Sequence, residues 1–340
     1  MAQIEITEHV PLINDEGIPI NCGWARYPYF NYTPFIAPRR CIIESDRYIV
    51  LSTTHIISFE LCDTGYLGYI GAQIFSLKDS TYSTQVYTVP FSMGCFDMPP
   101  SSLSGSVKVV HKDAHLHFIS MENGARIIKA DFPHFGHHRS LRGELVLIEP
   151  AGMESMVTHS PWLRNRNAFR CLRCSPWYYT EGVVQFGSTE IVFTKSKAWG
   201  IFIWERGVRP RTDAHFWASG CGMSDNRQIS FSVGYSSADS SNGTENVFFF
   251  DGRLYKLDQV TFLISPNDWL KPWHFTSSDN RIEMEFKPHN EIIEYNQVIF
   301  HIEKRRRVFG SFSGTIILDD GSERTFHNIT GIAERRKMQF

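Results

Sequence analysis

Side chains able to do acid–base or metal chemistry cluster at a few places in this 340-residue sequence. His115-Leu-His117 lies in a strand-like stretch, so both imidazoles project from one face, as metal ligands must. Glu122 follows at a ligand-like spacing, and His134, His137 and His138 add further nitrogen donors. The simpler reading is a solvated strand face opposite Leu116 and Phe118, so no metal is expected. Cys171-Leu-Arg-Cys174 is the sole Cys-x2-Cys. On a strand, positions i and i+3 face opposite ways, so these thiols cannot share an ion and read as small buried side chains.

Carboxylates placed among aromatics are the stronger signal. Glu205, Arg206 and Arg209 lie near Trp199, Trp204 and Trp217 in the sequence. Glu245 and Asn246 precede Val247-Phe248-Phe249-Phe250, and Trp269 and Trp273 flank a loop. A carboxylate in apolar surroundings either pairs with a cation or has its pKa raised towards neutrality, where it can act as a general acid. Glu154, Arg206 and Glu245 are therefore the candidate catalytic residues. Trp204, Trp217, Asn246, Trp269 and Trp273 are the candidate ligand-binding residues. The competing readings are a buried Arg206–Glu245 pair that fixes the fold and a water-facing Glu154. No nucleophile elbow, phosphate loop or dinucleotide fingerprint occurs, and no cofactor is expected. The basic run Lys304-Arg305-Arg306-Arg307 reads as a charged turn or edge guard between strands.

The elements that must position these groups are strands. Ile282, Met284 and Phe286 alternate with Arg281, Glu283, Glu285 and Lys287, which predicts a strand with one wet face. Asp251-Gly252 between 245–250 and 253–264 predicts a hairpin with a type I′ turn. Gly187-Ser188 and Asp319-Asp320-Gly321 mark two more, and 48–61 and 106–130 supply strand material in the first half. No long helical period appears. The chain reads as all-β, in two antiparallel barrels or sandwiches, because open sheet edges aggregate. The least periodic central stretch, Pro150–Pro161, places the domain border so that the domains are 1–155 and 156–340.

Lys+Arg 34 against Asp+Glu 36 gives a net charge of −2, unlike the basic balance of nucleic-acid binders. Aromatic residues make up 14%, as suits strands and lined pockets. The first residues lack a basic start and an apolar run, and no stretch is long enough for a spanning helix. Seven scattered cysteines suit a reducing compartment. The expectation is a cytoplasmic protein with no integral membrane segment and no nucleic-acid partner. Nothing in the sequence signals an oligomeric state.

An ordered set of short motifs resembles the bacterial domain-of-unknown-function family 2804. The set comprises Asn21-Cys-Gly-Trp-Ala-Arg26, Glu205-Arg-Gly-Val208, Phe216-Trp-Ala-Ser219 and Thr244-Glu-Asn246. Phe250-Asp-Gly-Arg253, Lys256-Leu257, Phe309-Gly-Ser-Phe-Ser-Gly314 and Gly331-Ile-Ala-Glu334 complete it, over essentially the whole chain. One departure is Trp204-Glu205, where the family pattern has Asp before the Arg-Gly step. The resemblance implies two lipocalin-like β-barrel domains, similar to hydroxyneurosporene synthase and tocopherol cyclase type proteins, which act on apolar ligands by proton transfer. It transfers no activity to individual residues. The leading expectation is binding of a small apolar or glycosidic ligand in an aromatic-lined barrel pocket. A proton-transfer enzyme (hydratase, cyclase, isomerase or lyase) and a carbohydrate-active or sugar-binding protein are the alternatives.

Overall fold

The computed structural model describes residues 3–33, 37–136, 139–298 and 301–339. Its strands form two antiparallel sheets, besides a two-residue parallel ladder of Val10–Pro11 with Phe30–Asn31. The first sheet contains β1 (Gly23–Ala25), β2 (Ile42–Ser52), β3 (His55–Asp63), β4 (Leu67–Ser76), β5 (Tyr82–Pro90), β6 (Gly105–His111) and β7 (Ala114–Ser120). It continues with β8 (Ala125–Phe135), β9 (Arg139–Ile148), β10 (Met156–Trp162), β11 (Asn165–Phe186), β12 (Thr189–Phe193) and β13 (Ala198–Val208). Its order is β5-β4-β3-β2-β13-β11-β9-β8-β7-β6, with β10 and β12 also on β11 and β1 on β10. The sheet curls until its edges nearly meet, where Tyr87 Oη of β5 donates to the His134 carbonyl of β8 at 3.1 Å.

The second sheet contains β14 (Thr212–Ser224), β15 (Arg227–Ser236), β16 (Val247–Phe250), β17 (Arg253–Lys256) and β18 (Val260–Leu263). β19 (Trp273–Ser277), β20 (Ile282–Val298), β21 (His301–Ile317) and β22 (Glu323–Gln339) complete it. Its order, β17-β16-β15-β14-β22-β21-β20-β19-β18, makes a half-barrel. The molecule is all-β, with a single 3-10 turn at Arg39–Cys41 among the described residues. Among those residues no helix is long and apolar enough to cross a membrane.

Several local expectations are met. Phe250 pairs with Arg253 across Asp251 and Gly252, whose φ angles of 48° and 82° are those a type I′ turn needs. Ile282, Met284 and Phe286 are buried while Glu283 and Lys287 are exposed. The arm expected over 253–264 is instead two strands on opposite edges of the sheet, because after Leu257 the chain bonds to the 277–279 segment: the Asp258 N–H donates to Asp279 Oδ2 at 3.0 Å and the Gln259 carbonyl accepts from the Ser278 N–H at 2.8 Å. The change of sheet falls at Arg209–Arg211, since β10 to β13 all hydrogen-bond within the first sheet.

β2 is buried along its whole length because both of its faces are covered. Tyr48 and Val50 point into the first barrel, where the Tyr48 ring lies 4.7 Å from both Phe118 and Phe202. Arg126 fills the same interior. Its guanidinium sits 3.9 Å over Phe202 and donates to Tyr178 Oη, Ser120 Oγ and the Ser102 carbonyl. The barrel centre is thus packed rather than hollow.

Arg47, Ile49 and Leu51 point the other way, onto the second sheet. This seam between the sheets has an apolar part, with Phe75 stacked on Phe309 at 4.4 Å and Trp217 and Ile332 alongside. It also has a charged part. Glu334 of β22 pairs with Arg307 at 2.8 Å and with Arg47 at 3.3 Å. Arg305 reaches Glu60 of β3 at 3.0 Å and Glu303 at 2.8 Å. Arg307 also donates to Gln73 of β4. The basic run 304–307 is therefore mid-strand, not a turn: Arg305 and Arg307 share the seam face by the period of two. Arg306, on the other face, pairs with Glu291 and lies 4.0 Å over Trp269.

Burial alone would raise the Glu60 carboxyl, but Arg305 and Arg47 outweigh it and hold it at about 2 against an ordinary 4.5. A carboxylate depressed in this way stabilises the fold above its ordinary pKa and loses that contribution as pH falls through the depressed value. Replacing Glu60 with Gln should lower the unfolding free energy by roughly 3 kcal/mol near neutrality. In urea titrations over a pH series, the gap to the parent protein should shrink between pH 4.5 and pH 2. A gap that stays constant over that range would mean that Glu60 contributes no charge to the fold.

Candidate functional site

The charged seam opens at one end into a cleft of about 250 Å³, with Thr158, Ser160 and Arg170 of the first sheet facing Tyr235, Glu245 and Thr261 of the second. Backbone geometry creates the opening. The β15–β16 ladder ends at the Ser232–Val247 pair. Two residues further on, the Gly234 N–H donates to Asn246 Oδ1 at 2.7 Å instead of to a strand partner. Asn246 Nδ2 donates to the Asp258 carbonyl at 2.9 Å, which holds the incoming segment apart from β15. The Glu245 carboxylate occupies the resulting gap. It lies so close to Gly234 that a Cβ there would meet Glu245 Oε1 at 2.9 Å and the Phe216 carbonyl at 2.6 Å.

Three basic side chains lie around the segment that carries Glu245. His215 Nε2 is 2.8 Å from Oε1, and Arg170 Nη1 is 3.5 Å from Oε2. The Lys256 ammonium donates to Thr244 Oγ1 at 2.5 Å and to the Asn246 and Leu257 carbonyls at 2.9 Å, pinning the loop that carries Glu245. Burial lowers the Lys256 pKa to about 7, partly offset by Asp258, Asp279 and Glu245. Burial would raise Glu245, yet His215 and Arg170 prevail and keep it below the ordinary carboxylate value. Glu245 is thus an ionised base, not the general acid with a raised pKa that its apolar neighbours in the sequence suggest.

The arrangement differs in a second way from a simple buried ion pair. Glu245 Oε2 accepts no hydrogen bond from the protein, and 3.5 Å from Nη1 is longer than a good charge-assisted bond. Behind the pair, Arg170, His215 and Glu205 line a second cavity of about 40 Å³, room for a few waters. Arg170 Nε also lies 3.3 Å from Glu205 Oε1, so one guanidinium stands between two carboxylates. Glu205 faces that inner cavity and not the cleft, so the two acids do not flank a common ligand position.

The other expected residues are dispersed. Arg206 is fully buried and pairs with Asp46 at 2.8 Å, while Nη2 donates to the Pro99 carbonyl. Its neighbour Glu205 faces the seam, so Arg206 necessarily faces the barrel interior, and the Arg206–Glu245 pair is not formed. Glu154 accepts from Arg26 at 2.9 Å and from the Leu254 N–H at 2.6 Å, holding the segment after β1 against β17. Trp204 packs in the first core, edge-on to Tyr32 and under Arg206. Trp217 lines the inner cavity and donates to Ser232 Oγ at 2.9 Å. Trp269 and Trp273 belong to the second core, with Trp273 Nε1 donating to the Trp269 carbonyl.

His115 and Glu122 are exposed, and His117 contacts Ser106 Oγ at 2.8 Å. His137 and His138 lie outside the described residues. Among the described residues no three His, Cys, Asp or Glu side chains are grouped to hold a metal. Cys171 and Cys174 fall in different cores, on opposite faces of β11. Arg170 and His215, the partners of Glu245, carry no motif of their own. Their only local signal is sharing a strand face with Cys174 and with Trp217, respectively.

A nearly closed barrel packed through its outer face onto a half-barrel defines a two-sheet, all-β architecture. The profile of the family described as Domain of unknown function (DUF2804) matches residues 3–340, and the chain belongs to that family. Among solved structures, kievitone hydratase from Nectria haematococca is similar at 11% identity and a TM-score of 0.45, over 87% of this chain and 88% of that one. An AttH-type protein of Nitrosomonas europaea is similar at 11% identity and a TM-score of 0.48, over 88% and 93%. A comparison with curated proteins finds no match.

Substituting Gly234 with Ala tests whether the carboxylate position depends on the missing Cβ. The added methyl meets backbone as well as Glu245, so stability should fall by about 1–3 kcal/mol in urea denaturation. Unchanged stability would show that Glu245 has room to move aside.

Proposed function

We propose that this protein binds a small polar molecule in the seam cleft, with Glu245 and Arg170 as the anchoring pair. The supporting observation is the loose ion pair on the cleft floor, whose 3.5 Å gap leaves Glu245 Oε2 without a donor. Oε2 is covered from solvent, so a ligand hydroxyl on the cleft floor would donate to it, and accept from Nη1, once the Glu245 carboxylate turns towards the cleft that it lines. The rest of the lining, including Asn246, is mainly hydroxyl and amide groups, which favours a polar ligand over the apolar one expected from the aromatic content.

The His215–Glu245 contact favours a second, compatible reading, proton-transfer catalysis. By this route the carboxylate takes a proton from the bound ligand and relays it across the 2.8 Å contact to His215 Nε2, which must be unprotonated to receive it. In this reading Glu245 is the general base, and Glu154 and Arg206 have no part in the chemistry.

Native mass spectrometry of the purified protein, incubated with a mixture of small polar metabolites, tests the binding reading. Thr261→Trp places a large ring at an exposed position on the cleft wall and should abolish retention without disturbing either core. Glu245→Gln should weaken binding about tenfold or more, the scale of a hydrogen bond to a charged group. Retention that survives both changes would place the ligand elsewhere. If the parent protein turns the retained molecule over, Glu245→Gln should stop turnover while the fold persists.

A further inference from the structure

The seam face of the second sheet carries Arg305 and Arg307 of β21 and Glu334 and Arg336 of β22. By the period of two, Lys304, Arg306, Arg335 and Lys337 lie on the opposite, half-barrel face. Arg306 is paired directly with Arg335 across the two strands, and Lys304 with Lys337. Four cations thus stand in a square, about 5 Å apart across the strands and about 7 Å apart along them. Val308 and Ala333, the next residues inward on this face, belong to the half-barrel core, so the square begins where that core ends. Phe216 and Tyr235 extend the arginine row on β14 and β15, and Ile293 and Tyr295 flank both rows on β20.

Like charges directly opposite each other on neighbouring strands repel. Of the four, Arg306 has a counter-ion, Glu291. No ion pair among the described residues includes Lys304, Arg335 or Lys337, and Arg335 Nε is buried without a hydrogen-bond partner. Three of the cations lean on rings instead. Arg306 lies 4.0 Å over Trp269, Arg335 lies 5.1 Å from the centre of Phe216, and Lys304 lies 5.3 Å from that of Tyr295. Stacking orients the two guanidinium planes while leaving their N–H groups to a further acceptor. Lys304 and Lys337 are exposed, so the square is open to solvent on its lysine side.

A complementary ligand brings several negative charges and acceptor oxygens that point more than one way. A phosphate does so: it carries a charge of about −2 and three acceptor oxygens, enough to take donors from both strands at once. A carboxylate has one charge and two coplanar oxygens, and leaves most of the square unbalanced. Ile293 is 70% exposed and Tyr235 46%, one at each end of the arginine row, so the carbon part of a phosphate ester has apolar surface to cover.

We infer that this face of the half-barrel is a binding site for a phosphate-bearing molecule, its phosphate held by Arg306, Arg335, Lys304 and Lys337 and its carbon part against Ile293 or Tyr235. The site lies on the other face of the sheet from His215 and Glu334 and does not depend on the cleft reading.

The test uses the full chain. Calorimetric titration with pyrophosphate and with adenosine diphosphate probes a soluble source of the phosphate. Sedimentation with phosphatidylglycerol vesicles, against phosphatidylcholine vesicles, probes a lipid headgroup. Binding in either arm supports the inference and identifies the source. In the arm that binds, affinity should fall with added salt, and the double variant Lys304→Gln, Lys337→Gln should weaken it about tenfold or more. Arg335→Gln should weaken it on the same scale. Because the two lysines face each other as like charges, the double variant should melt no lower than the parent protein. A lower melting temperature would mean that they already have partners, and overturns the inference. So does binding that the double variant leaves unchanged, citrate bound as tightly as pyrophosphate, vesicle binding that ignores the headgroup charge, or no binding in either arm.

Discussion

The physical fact on which the rest of this structure depends is the burial of charge between two β-sheets. Glu60, Glu334, Arg47, Arg305 and Arg307 come from four strands in two sheets and lie in one water-poor layer. Removing such groups from water costs several kcal/mol each, and only close partners offset it. Apolar layers slide and re-register cheaply, whereas a layer of paired charges has one arrangement in which every ion has a counter-ion. The apolar contacts beside it, such as Phe75 on Phe309, supply adhesion; the ions supply position.

The candidate site follows from the same layer. At the cleft Glu245 is 2.8 Å from His215 and 3.5 Å from Arg170. The cleft lies at the end of the β15–β16 ladder, where Asn246 takes over the Gly234 N–H and the strands part. The cleft therefore lies where the strands of the second sheet part beside the structural ion network, and Lys256 and His215 hold the Glu245 segment in place from behind.

Much of the fold is legible in the sequence because strands and tight turns have local signatures. The alternation through Ile282–Phe286 and the Asp251-Gly252 turn both appear in the structure as read. The family resemblance carried by the motifs from Asn21 to Glu334 is matched by the family profile. The site is legible only in part, for a physical reason. Glu245 stands out as a carboxylate ahead of a run of aromatics, but its partners arrive by strand register and sheet packing, which no local pattern encodes. Arg206 is misleading for the same reason, since one step along a strand sends it to the opposite face from Glu205. The basic run at 304–307 shows the limit most plainly. Charged runs usually face water, and only the existence of a second sheet with matching acids turns alternate members inward.

Each sheet holds only part of the counter-ions for this layer, so the arrangement also bears on how such a protein can change over generations. A crossover that exchanged one sheet for that of a distant cousin would import acids and bases in a foreign order and strand several of them in a dry layer. The two sheets must then be inherited together, and drift at one of these positions has to wait for a matching change on the other side.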